Sequence, residues 1–146
     1  MDINYDKLAT NDNSCIDNIK QELNIDCNYK AGKLVGRVLH TIRDSLTYSQ
    51  SAELIQKLPD DLKIIYVSDW KLNHRQLRLK HLDNLVEEVI KNDQRHAQQV
   101  LHGEVSALYA ILITLKILNR YVDILAFDFF NYSLKRELAE AMTEAA

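Results

Sequence analysis

His40, Arg43 and Asp44 are the residues whose types and spacing come closest to chemistry. Three and four positions apart, they share one flank of a helix. A carboxylate beside an imidazole orients the ring and raises its pKa, which is how a general base is prepared. Tyr66 and Trp70 are the aromatic residues that would complete a ligand-binding pocket with them. No nucleophile, glycine loop or metal partner accompanies the trio, so no catalytic residue is assigned. The competing reading is structural, with Arg43 reaching the carbonyls at the end of another helix and His40 donating to backbone.

The remaining histidines, His74, His81, His96 and His102, raise the question of a metal. His74 and His81 are seven apart, and Asp93 and His96 are at i, i+3. Neither His-x-x-x-His nor Glu-x-x-His occurs, and the paired motifs of a di-iron bundle are missing, so no metal or cofactor is expected. The run 71–81 carries Lys71, Arg75, Arg78 and Lys80 and no acid. It lacks interleaved aromatics, and the net charge is -3, which gives no drive toward nucleic acid. It reads as a solvated basic face. Phe127, Phe129 and Phe130 form an aromatic cluster that one helical face cannot bury, because neighbouring side chains diverge by about 100°. These rings are the candidate partner interface.

The elements that must position these residues are helical. Gly (3) and Pro (1) are too scarce for the many turns of a β-sandwich or barrel. With 47% apolar and 27% charged residues, the 146-residue chain has globular composition and fits one domain over 1–146. Two cysteines, Cys15 and Cys27, are too few for a disulfide scaffold. The polar first residues hold no secretory signal, and the most apolar stretch, 105–118, is too short to span a bilayer. A cytoplasmic protein is expected.

Ser14 caps a helix ending near Asn24, and Asp26 looks like the cap of a long helix running to Leu46. Gly32 and Gly36 lie within that helix, where each costs roughly 1 kcal/mol against alanine, so another helix should approach closely there. Thr47 and Gln50 form a capping-box pattern, Pro59 opens the next helix at its first position, and Trp70 closes the unit. A helix follows from about 82. Asn92 or Asp93 should cap another that runs through Gly103 to 118, Asn119 one that holds the Phe cluster, and Asn131 the last. The expected fold is an all-α bundle of about eight helices. The two halves align at an offset of about 72 residues, repeat one near 14–70 and repeat two near 81–143, as two pseudo-symmetric four-helix units.

The segment Arg37-Val38-Leu39-His40-Thr41-Ile42-Arg43-Asp44-Ser45-Leu46 resembles the most recognisable stretch of a bacterial family, domain of unknown function 2267, which reads roughly R-x-V-L-H-x-L-R-D-x-L. Ala52, then Gln56-Lys57-Leu58-Pro59, then Tyr66-Val67-Ser68-Asp69-Trp70 match its alanine-bearing helix, Q-L-P and Y-x-x-G-W in order. Lys57 intervenes in the second motif, and Asp69 occupies the family's glycine. The resemblance implies a small all-helical protein and brings no activity or catalytic residue. From the residues themselves, the leading expectation is a non-enzymatic helical interaction module that self-associates or binds a protein partner. The alternative is a small-ligand binder or enzyme using His40, Arg43 and Asp44.

Overall fold

The computed structural model describes residues 3–8, 14–71, 76–126 and 130–144. These hold eight helices and no strand: α1 (Tyr5–Leu8), α2 (Cys15–Leu23), α3 (Asn28–Ser45), α4 (Tyr48–Ile55), α5 (Asp60–Val67), α6 (Leu82–Gln94), α7 (Glu104–Leu118) and α8 (Tyr132–Glu144). The protein is an all-α helical bundle.

Local capping sets several boundaries. The Ser14 hydroxyl accepts from the Asp17 N–H at 3.1 Å. At α4, Gln50 N donates to Thr47 Oγ1 at 3.2 Å and Thr47 N to Gln50 Oε1 at 2.9 Å, the reciprocal capping box. Asn24 adopts a left-handed backbone (φ 55) to close α2. The connection to α3 then occupies residues 24–27, so the cap position falls on Cys27, not Asp26. Pro59 is likewise the residue before the helix, with α5 starting at Asp60.

Two larger boundaries differ from the sequence expectation. Asn92 and Asp93 do not begin a helix; they lie in the last turn of α6. The chain then loops through residues 95–102, and α7 starts only after Gly103, whose φ of 107° suits glycine and strains any L side chain. Asn119 ends α7 instead of opening another helix. Its side-chain oxygen accepts from Ile124 N at 3.2 Å within a string of turns over 120–126. The eight helices therefore include α1 and lack the one expected after Asn119.

α3 is the central element. It packs against α1, α2, α5, α6 and α7, and every residue from Leu34 to Arg43 is buried. Of its two glycines, Gly32 answers to a close approach, because a Cβ there would collide with the Tyr5 ring of α1. At Gly36 a Cβ would meet Ile65 at an ordinary 3.6 Å. α7 supplies the other core stripe, with Ala107, Ile111, Thr114, Leu115 and Leu118 buried.

Candidate functional site

Burial on all sides means that the polar residues of α3 must find partners inside the protein. The partners of His40 and Arg43 are the open carbonyls at the end of α5, which no residue of that helix can satisfy. Arg43 Nη1 donates to Tyr66 O at 2.6 Å and Ser68 O at 2.7 Å, and Nη2 donates to Asp69 O at 3.3 Å. His40 Nε2 donates to Ile65 O at 2.7 Å and lies 3.1 Å from Ser68 Oγ. The Ser68 hydroxyl itself donates to Ile65 O at 2.7 Å. Together these bonds satisfy four of the five carbonyls from Ile65 to Asp69, all but that of Val67.

The five candidate residues do come together. Asp44 Oδ1 lies 3.7 Å from Arg43 Nε, and the guanidinium stands 5.5 Å from the Trp70 ring centre. Trp70 meets Tyr66 edge-on at 6.1 Å and Tyr48 at 5.8 Å. The Tyr66 hydroxyl bonds Ser51 Oγ at 2.7 Å, deep in the core. Burial pushes its pKa up to about 12.

Asp69 takes a left-handed φ of 53°. This is the position at which the resembling motif carries glycine, and the backbone explains why: aspartate is among the few L residues that tolerate this region.

The electrostatics weigh against general-base catalysis by His40. Its pKa is depressed to about 4, first by burial and then by the Arg43 charge. At neutral pH the ring is uncharged, and its Nε2 proton is committed to a carbonyl. Arg43, also lowered by burial, keeps Asp44 as its nearest carboxylate. A base of this strength, held in this bond, is poorly matched to proton transfer near pH 7.

A second polar pair was not singled out from sequence. Arg37 Nε donates to Asp93 Oδ1 at 2.9 Å, with the side chains 4% and 2% exposed. The Asp93 carboxylate also accepts from Val100 N and Leu101 N, at 2.9 to 3.1 Å. Arg37 Nη2 reaches Gln98 O at 3.2 Å. Burial alone would raise the Asp93 pKa, but these N–H donors and the guanidinium outweigh it and hold the acid below its usual value. Arg37 stands in the same motif as His40 and Arg43, which was the available signal; Asp93 lies 56 residues away.

The C-terminal ends of α3, α5 and α6 meet at a cavity of about 460 Å³. His40, Arg43 and Asp44 line it from α3, Asp69 and Lys71 from the chain after α5, and Asn92, Arg95 and His96 from the end of α6. His96 Nδ1 donates to Asn92 O at 2.8 Å.

His81 instead pairs with Glu137 of α8 at 2.7 Å, and Glu137 also accepts from Leu82 N, capping α6 from a distant helix. Among the described residues no group of three His, Cys, Asp or Glu side chains could hold a metal. His74 and Arg75 lie outside the described residues. In the basic run, Leu77 N donates to Asp44 O at 2.8 Å, Leu79 is buried, and Arg78 and Lys80 alternate with them as exposed side chains.

Phe130 is buried in the core, and Phe127 and Phe129 fall outside the described residues. On α7, Val105 and Tyr109, one turn apart, are 74% and 58% exposed. The same stripe continues through Leu112, which is covered, to the exposed Lys116. No helix among the described residues is long and apolar enough to cross a membrane.

No curated protein matches the sequence. Over residues 12–144 it matches the family described as "Uncharacterized conserved protein (DUF2267)". That match takes in every helix from α2 to α8, and with the R-x-x-H-x-x-R-D segment of α3 it places the chain in the DUF2267 family.

Proposed function

We propose that this protein is a non-enzymatic helical interaction module that pairs with a second copy of itself through the exposed stripe of α7. The observation that carries this reading is the pair Val105 and Tyr109, large apolar side chains left mostly in water one turn apart. Scattered single apolar residues need no explanation, but a helical stripe of them is the usual form of a docking face. Charge favours a second copy as the occupant. Antiparallel pairing centred near residue 110 sets Glu104 of one copy against Lys116 of the other, twice, by symmetry. Among the described residues Lys116 has one loose partner, Glu22, at 3.8 Å and largely exposed. A non-enzymatic role is favoured because the hydrogen bonds of His40 and Arg43 are directed at the end of α5.

Light scattering over a concentration series tests the reading. The molar mass should climb toward that of two chains, and V105E/Y109E should hold it at one. A wild-type chain that remains monomeric at the highest concentration, or a variant that still pairs, contradicts it.

Two finer readings accompany this one. Both cysteines are free, which suits a reducing cytoplasmic compartment. The 72-residue repeat draws support from Asp60 and Tyr132, the first residues of α5 and α8, which are 132 − 60 = 72 apart. The aligned Leu62 and Leu134, Tyr66 and Leu138, and Leu58 and Phe130 are all buried.

A further inference from the structure

Among the described residues, the cavity where α3, α5 and α6 end is lined by charged and polar side chains. Its volume of about 460 Å³ is of the size that holds small ligands. An apolar ligand would strand those groups without partners. A simple anion would face Asp44 and Asp69, and a simple cation would face Arg43, Lys71 and Arg95. The charges are matched by a molecule carrying both signs.

Two of them are placed to receive it. Asp69 and Arg95 line the cavity from different walls, the turn after α5 and the end of α6. Both are exposed, and neither forms an ion pair with a described residue or with the other. The Asp69 backbone is held in place beforehand: it is left-handed, and its carbonyl accepts from Arg43 Nη2. Only the side chain then remains to be ordered on binding. Arg43 itself is occupied by three carbonyls and serves as a fixed positive floor. His96, with Nδ1–H spent on Asn92 O, presents Nε2 as an acceptor.

We propose that this cavity binds a small zwitterion, its anionic group on Arg95 and its ammonium group on Asp69. The site is separate from the α7 stripe, so either proposal stands or falls without the other.

Calorimetric titration of the full chain tests it. The probes are O-phosphoethanolamine and γ-aminobutyrate, with inorganic phosphate and ethanolamine as the separated halves, all at one ionic strength. D69N and R95Q remove one charge each. Both sites are exposed, and asparagine keeps the left-handed backbone accessible, so urea unfolding should show both variants folded. At least one zwitterion should bind saturably with a Kd of about 1 mM or tighter. Each variant should weaken it at least about tenfold, and each half should bind at least about tenfold more weakly. Three results would overturn the proposal: no saturable heat with either zwitterion, phosphate bound as tightly as O-phosphoethanolamine, or binding unchanged in both variants.

Discussion

Arg37 and Asp93 form a buried ion pair, 2.9 Å from nitrogen to oxygen, that joins the middle of α3 to the last turn of α6. The carboxylate also ends the helix, because the Val100 and Leu101 N–H groups fold back onto it. Removing one partner leaves the other charge buried and uncompensated, at a cost of about 3–5 kcal/mol. D93A should lose that much in urea unfolding. R37M/D93L, which removes both charges, should recover part of the loss. Additive single and double effects would show that the two residues act independently.

Arg43 offers a sharper comparison. R43M retains the aliphatic stem and strands the carbonyls of Tyr66 and Ser68, which should cost about 3 kcal/mol of unfolding free energy. R43K should recover only part of it, because one ammonium cannot reproduce the planar fork that spans Tyr66, Ser68 and Asp69. Equal stability of R43K and wild type would show that charge alone matters here.

His40 makes stability depend on pH. Its folded pKa of about 4 lies below the ordinary 6.5, so the unfolded chain takes up the proton first. The stabilisation is complete above pH 6.5 and is lost as pH falls from 6.5 toward 4, by about 3 kcal/mol in all. Asp93, with its pKa below 3.8, contributes its own loss only at lower pH. H40Q should be less stable at pH 7 and should lack this slope. Parallel stability curves for wild type and H40Q would contradict the assignment.

The two glycines of α3 should respond oppositely. G36A places its methyl at van der Waals distance from Ile65 and gains helix propensity, for a net stabilisation of about 0.5–1 kcal/mol. G32A must expel the Tyr5 ring, which is 93% buried and packed edge-on to Tyr29, and should lose about 1–2 kcal/mol. In a Y5A background G32A should instead stabilise. Thermal unfolding of the four variants distinguishes these outcomes.

Where local chemistry sets the fold, the sequence made it legible. Ser14, Thr47 with Gln50, and Asn131 cap within three residues of themselves, and the 3.6-residue apolar period of α3 runs its full length. The boundary between α6 and α7 was not legible because its cause is distant. Asp93 looks like a helix start, but its carboxylate is claimed by Arg37, 56 positions earlier, and by N–H groups beyond the turn. Asn119 misleads in the same way, since an asparagine before an apolar run serves a turn as readily as a helix. For the polar cluster, spacing put His40, Arg43 and Asp44 on one flank. Which helix end they meet, and that burial leaves His40 neutral, depend on packing that no local pattern encodes.

Self-pairing along α7 is the proposal on which the function rests. The most direct measurement is a dilution series of backbone amide chemical shifts. Concentration-dependent shifts are expected, centred on residues 104–116 and absent in V105E/Y109E, with the cavity residues Asp69 and Arg95 unmoved. Shifts that are independent of concentration, or that centre on another helix, would contradict it.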